Sequence, residues 1–242
     1  MKILGVSGSP RDENTSGVYK IVKTVLENTG HDYEIVVLKG KKISGCICCL
    51  GCVEDNICKV KDDMTELREK IVDADAYVIG APNYFSTMNA ATHAFLERWY
   101  QFRHQECDTL WGKLGIAIGV GGTEGEAPAN EIAKFYMYNF IESVASVVGI
   151  GAAACYSCGH GETCKVGIPQ MLHGEEGIKD LLSPENNKLD PEKKPDVLDQ
   201  EYVMKAAANA GKLLGERLSS GHDRKEVTKK VMDQMMKMIK AW

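Results

Sequence analysis

Lys2-Ile3-Leu4-Gly5-Val6-Ser7-Gly8-Ser9-Pro10-Arg11 is a short apolar run that breaks into glycine and small hydroxyl residues. The run predicts a buried strand from Lys2 to Val6. Between Asn14 and Asn28, Val18, Ile21, Val22, Val25 and Leu26 then recur at helical spacing. Strand, small-residue loop and helix in that order begin a βαβ unit, and the pattern continues downstream. Tyr33 to Leu38 reads as a second strand, and a cysteine-rich loop fills residues 44–60. A helix capped by Asp62 or Asp63 then runs through Leu67 and Ile71 to Val72. Ala76 to Gly80 is a third strand, with a helix from about Asn89 to Arg103 after it. Leu114 to Val120 is a fourth strand. A long helix from about Ala129 to Val148 and a weak fifth strand at Gly151 to Ala154 complete the alternation. Each return to a parallel strand needs a crossover, so the expected fold is α/β. It is a doubly wound five-stranded parallel sheet of order 2-1-3-4-5, covered on both faces.

Residues 1–154 make up this domain. From Cys155 the chain turns to glycines and cysteines, then to a Pro-, Asn- and Asp-rich stretch from Ser183 to Asp199. Two helices follow, Asp199 to Leu218 and Lys225 to Trp242. The segment 155–242 is expected to pack on the same domain or on a partner subunit.

At 242 residues and 44% hydrophobic, the chain can bury a full core. Its net charge of -5 comes from 29 basic and 34 acidic residues mixed along the chain, so nothing marks a nucleic-acid surface. No apolar run approaches the ~18 residues of a membrane span, and the first residues carry no leader pattern. The expectation is a cytoplasmic protein with no membrane partner. Nine cysteines, an odd number, argue against a disulfide framework and for metal or redox chemistry.

In an open parallel sheet, ligands bind beyond the carboxyl ends of the strands. After strand 1, Ser7, Ser9, Arg11, Asn14, Thr15 and Ser16 precede a helix, where free N–H groups and hydroxyls favour a phosphate. Capping serines at an ordinary turn would look the same. No Walker lysine and no G-x-G-x-x-G is present, which turns the reading away from nucleoside triphosphates and Rossmann dinucleotides. After strand 3 come Pro82, Asn83, Tyr84, Phe85, Ser86 and Thr87, flat side chains on a loop that can border a heterocycle. After strand 4, Gly121, Gly122 and Thr123 let a ligand approach the backbone.

Cys46, Cys49, Cys52 and Cys58 are spaced C-x2-C-x2-C-x5-C. Four cysteines within thirteen residues suit 2Fe-2S and 4Fe-4S clusters. Zinc competes, although its four-cysteine sites use two C-x2-C pairs set further apart, and redox-active or inert thiols are the third reading. Cys48 reads as a spare thiol, with a shifted ligand set as the alternative. Cys155, Cys158, His160 and Cys164 form a second soft-ligand group that suits a zinc site, a thiol redox pair or a loop near the first centre. Cys107 fits no pattern.

Residues 1 to about 150 resemble the flavodoxin-like NADPH-dependent FMN reductases. The resemblance rests on Ser7-Gly8-Ser9-Pro10-Arg11, on Gly80-Ala81-Pro82-Asn83-Tyr84 and on His93-Ala94-Phe95-Leu96-Glu97-Arg98-Trp99. It implies FMN, with the first loop around the phosphate and Pro82 to Thr87 and Gly121 to Thr123 beside the isoalloxazine. Asn83 departs from the aliphatic residue common at that position. With the compact cysteine motif added, the chain resembles the iron-sulfur flavoproteins of anaerobic archaea and bacteria. That resemblance implies a 4Fe-4S cluster, a homodimer or homotetramer, and a ferredoxin-like electron donor. The expected activity is electron transfer from such a donor to FMN and on to a small-molecule or protein acceptor. The alternatives are an NAD(P)H-dependent flavin or quinone reductase and a non-catalytic zinc-binding module.

Overall fold

The computed structural model describes residues 1–105, 107–122, 125–161 and 163–240. Five parallel strands form the sheet: β1 (Lys2–Ser7), β2 (Asp32–Val37), β3 (Ala76–Tyr84), β5 (Leu114–Gly121) and β6 (Glu142–Ile150). A two-residue strand, β4 (Thr87–Met88), pairs antiparallel with the end of β3. The order β2-β1-β3-β5-β6 has the doubly wound topology expected, with β4 as a sixth strand that the sequence reading missed.

β1 and β5 are buried almost end to end, as central parallel strands must be. Helix α1 (Gly17–Glu27) starts at Ser16, whose hydroxyl accepts the Tyr19 N–H, and buries Val18, Ile21, Val22, Val25 and Leu26 against one face of the sheet. Helices α2 (Met64–Asp73), α3 (Ala90–Glu97) and α4 (Glu126–Tyr138) follow. They enclose the second core, in which Tyr77, Trp99 and Tyr136 are fully buried. The expected helix to Arg103 ends as α-helix at Glu97 and tightens into a 3₁₀ turn from Arg98 to Phe102.

The fifth sheet position differs from the expectation. Helix α4 stops at Asn139, Phe140 turns the chain at φ 54°, and residues Glu142–Ile150 form the strand that had been read as the end of a helix. Val144, Val147 and Val148 are β-branched and favour the pleated conformation, but their spacing also fits a helical stripe. The backbone carbonyls of Phe140 and Lys113 accept the Gly112 and Glu142 N–H groups, locking β6 beside β5. Gly151 to Ala154 therefore lies beyond the sheet.

Four helices follow: α5 (Cys155–Cys158), α6 (Ile168–Gly177, kinked at Gly174), α7 (Glu201–Ser219) and α8 (Arg224–Lys240). α6 lies where only irregular chain was expected. Val203, Ala207 and Leu214 of α7, with Val227 and Val231 of α8, join the α1 core. α7 approaches α1 through two glycines one turn apart. A Cβ at Gly211 would fall 2.2 Å from the Val25 carbonyl oxygen, and one at Gly215 2.0 Å from that of Thr29. Backbone cannot yield as a side-chain tip can, so Gly215→Ala is expected to destabilise the protein by ~1–3 kcal/mol in urea unfolding. A variant as stable as wild type would show that the helices separate freely.

Candidate functional site

The loops at the carboxyl ends of β1, β3 and β5 meet around one cavity of about 410 Å³, within the range of small-molecule sites. Ser9, Arg11, Thr15, Pro82, Asn83, Tyr84, Phe85, Gly121 and Gly122 all line it. Ser7, Asn14, Ser16, Ser86 and Thr87 lie in the adjoining chain but not in the lining, and Thr123 falls outside the described residues. The Ser16 side chain is engaged as the α1 cap, and the Thr15 hydroxyl donates to the Asp12 carbonyl at 3.2 Å.

The loop after β1 is held by backbone and buried amide. Gly8 N–H donates to the Gly80 carbonyl at 2.8 Å, and Asn89 Nδ2 donates to the Gly8 carbonyl at 2.8 Å. The Thr92 hydroxyl donates to Asn89 Oδ1 at 2.6 Å, completing the clamp. Arg11 turns back on Ser9, whose Oγ accepts the Arg11 N–H at 3.1 Å, while Arg11 Nη2 donates to the Ala152 carbonyl at 3.1 Å.

The loop after β3 is a tight hairpin rather than an open loop. Pro82, Asn83 and Tyr84 extend β3, and Phe85 (φ 53°) and Ser86 (φ 60°) form the two-residue turn into β4. Two consecutive positive φ angles suit a hairpin turn but strain a phenylalanine. Glu131 of α4 holds the turn from below, accepting from the Thr87 hydroxyl at 2.7 Å and the Met88 N–H at 2.6 Å. Phe85 is fully exposed at the cavity rim. No sequence pattern pointed to Glu131, because its partners lie more than forty residues away.

Two buried oxygens, Ser7 Oγ and Asn83 Oδ1, lack a hydrogen-bond partner among the described residues. Buried polar atoms left unsatisfied are costly, and here they sit at the carboxyl ends of β1 and β3, where a polar ligand would meet them. The far wall of the cavity comes from chain the sequence reading had left outside the site: Gly151 to Ala154, Ile168 and Lys194 to Val197.

The cysteine loop leaves β2 but folds along α3 and its 3₁₀ extension. Glu97 Oε2 accepts the Cys46 N–H at 3.2 Å, and Gln101 Oε1 accepts the Cys58 N–H at 3.1 Å. Arg98, buried at 1% exposure, donates from Nη1 to Asp62 at 2.6 Å and to the Ser44 carbonyl at 3.1 Å, and from Nη2 to the Val60 carbonyl at 3.4 Å. Cys52 is buried, Cys58 half-buried, and Cys46, Cys48 and Cys49 are exposed. Burial pushes the Cys52 thiol above its ordinary value, and Cys58, Cys46 and Cys49 push it further as like charges.

Among the described residues, no three His, Cys, Asp or Glu side chains stand at the spacing of one metal ion, either here or around Cys155. A cluster places its own irons and sulfides between the thiolates, so it calls for a wider donor set than a single ion. Cys46 and Cys48 border a second cavity of about 500 Å³ with Tyr100, Arg103, Phe135 and Tyr138. This cavity shares no lining residue with the first. Among the described residues, none of the cysteine loop lines the cavity at the carboxyl edge. Among the described residues, no helix is long and apolar enough to cross a membrane.

A parallel sheet of this order with its cavity at the carboxyl edge defines the flavodoxin-like class, and solved structures agree. The Trp repressor binding protein of Bacillus subtilis superposes with a TM-score of 0.52 at 16% identity, over 86% of this chain and 98% of that one. The azoreductase AzrA does so at 0.53 and 12% identity, over 89% and 100%. Within that class, the chain belongs to the NADPH-dependent FMN reductase family, whose model matches residues 1–154. It is thus an FMN-dependent oxidoreductase. Its relatives include proteins named iron-sulfur flavoprotein. One from Archaeoglobus fulgidus is 36% identical over 140 residues, 57% of this chain and 72% of that protein. A second from the same organism is 31% identical over 182 residues, 75% and 74%. One from Methanosarcina thermophila is 28% identical over 145 residues, 60% and 75%.

Proposed function

We propose that this chain is an electron-transfer iron-sulfur flavoprotein that holds FMN in the carboxyl-edge cavity and a 4Fe-4S cluster on Cys46, Cys49, Cys52 and Cys58. The observation that carries the reading is the spacing Cys46-x2-Cys49-x2-Cys52-x5-Cys58 in a loop whose backbone Glu97 pins at Cys46 and Gln101 pins at Cys58. When bound, a cluster supplies one-electron chemistry and FMN supplies both one- and two-electron chemistry. The chain's own residues position and shield these groups. Ser9 and the Arg11 side chain border the phosphate end, Pro82 to Phe85 and Gly121 to Gly122 border the ring, and the Glu97 carboxylate and the Gln101 carboxamide fix the cysteine loop.

The donor in this reading is a ferredoxin-like protein that delivers electrons singly at the cysteine loop. The acceptor is a small molecule or protein that reaches the flavin cavity. Because the two cavities share no wall, a homodimer or homotetramer that sets one chain's cysteine loop against another's flavin cavity fits the geometry. Exposed Ile47, Leu50 and Ile57 give that loop an apolar rim suited to such contact.

Cys49→Ser is expected to remove most of the first loop's iron from anaerobically purified protein while FMN remains stoichiometric by its absorbance. Unchanged iron would end the ligand assignment. Rapid flavin bleaching by NADH or NADPH, with none by reduced ferredoxin, would favour the nicotinamide-dependent reductase instead.

A further inference from the structure

Cys155, Cys158 and Cys164 repeat a spacing already met in the chain. Cys155-x2-Cys158-x5-Cys164 has the same intervals as Cys49-x2-Cys52-x5-Cys58, the last three cysteines of the first loop. All three are free thiols, and three cannot pair off as disulfides.

The local fold gathers the segment. Cys155 and Cys158 begin and end the single turn of α5, which places them on one face, and Cys158 Sγ lies 3.5 Å from the Cys155 carbonyl oxygen. Gly159 (φ 73°) reverses the chain. It returns so closely that a Cβ at Gly161 would fall 2.8 Å from Cys155 Cβ. A Cβ at Gly167 would fall 3.3 Å from Cys164 Cβ and 3.2 Å from the Gly161 carbonyl oxygen. Cys155, Gly161, Gly167 and Cys164 thus form a continuous chain of contacts, and side chains at the two glycines would open it. His160, at the tip, is exposed and supplies a fourth donor of suitable softness.

The chain on both sides of this loop lines the flavin cavity, Gly151 to Ala154 before it and Ile168 after it. Arg11 fastens the incoming arm through the Ala152 carbonyl. Both ends of the loop therefore stand in the wall of the cavity.

We propose that Cys155, Cys158 and Cys164, with His160 at the fourth position, hold a second iron-sulfur cluster beside the flavin cavity. A redox dithiol would use Cys155 and Cys158 and leave Cys164 and the glycine contacts without a role. The repeat of the first loop's spacing, in place of two well-separated C-x2-C pairs, favours a cluster over zinc. The proposal does not depend on whether the first loop is occupied.

The test is iron, acid-labile sulfide, zinc and FMN per chain after anaerobic reconstitution with ferrous iron and sulfide. Wild type is expected to carry about eight irons, two cubanes' worth. The triple variant C155S/C158S/C164S and the variant C49S should each retain about half of that, and their combination almost none. FMN content and the Mössbauer spectrum of wild type report independently of any variant. An unchanged iron count or an unchanged cubane signal in the triple variant, or loss of stoichiometric zinc rather than iron, would each overturn the proposal. If C49S keeps all its iron while the triple variant loses it, the second site stands and the first-loop assignment falls.

Discussion

Arg98→Ala is expected to lower the unfolding free energy by ~3–5 kcal/mol, because it leaves the Asp62 carboxylate without its partner in a largely buried pair. Desolvation opposes the charge on Arg98, but Asp62 and the Cys58 sulfur outweigh it and raise its pKa. The guanidinium ties Ser44 on the incoming arm of the cysteine loop to Val60 on the outgoing arm. Its loss should therefore also lower iron retention, whereas Arg98→Lys keeps the charge but cannot span both carbonyls and should restore stability only in part. The pH dependence has a definite sign. Burial raises the Asp62 pKa, yet the hydrogen bonds from Arg98, Ser44 and Met64 prevail and hold it below the ordinary 3.8. A carboxylate depressed in the folded state stabilises above its unfolded pKa and loses that contribution as pH falls through the folded value. Urea unfolding from pH 7 down to pH 3 should thus show a shallower acid decline in the Ala variant. A loss under 1 kcal/mol at pH 7 would mean the pair contributes little, as surface pairs do.

Most of the sheet was legible because central parallel strands are apolar throughout and α1 buries one clean stripe. The fifth strand was not. Edge strand β6 alternates irregularly between buried and exposed, and its valines fit either period. The loops that meet at the cavity were legible because their composition is local: small residues after a strand, aromatics after a proline. The hairpin at Phe85-Ser86 was hidden, since neither residue is a usual choice for positive φ. Glu131, Asn89 and the wall from Gly151 to Val197 act through contacts distant in sequence, which composition and spacing do not encode. The cysteine spacing is plain in the sequence, while the course of that loop depends on Glu97, Arg98 and Gln101, whose contacts to it lie more than forty residues away.

The helix that follows the cysteine loop is fixed at both ends, and the second fixing carries its own pH signature. Asp62 and Asp63 hold the start of α2 against Ser44 and Lys42, and Lys113 holds its end, donating to the Val72 carbonyl at 2.7 Å and the Ile71 carbonyl at 3.3 Å. Lys113 is 3% exposed, with its ammonium 5.5 Å from the centre of the Tyr77 ring. Burial, aided by the nearby Arg224, brings its pKa from 10.5 to about 8. Below pH 8 both folded and unfolded chains are protonated here, and the folded state bears the cost of a buried charge. Between pH 8 and 10.5 the unfolded chain binds more protons, so stability rises with pH, by about 3 kcal/mol across the window. Other lysines and tyrosines titrate at the same alkaline values, so the quantity to measure is the wild-type unfolding free energy minus that of Lys113→Met, by urea at each pH from 7 to 11. That difference should climb by about 3 kcal/mol through the window and level off above it. Parallel profiles would show that Lys113 keeps its proton when buried, and the carbonyls at the end of α2 would then be held by a full charge rather than by a neutral amine.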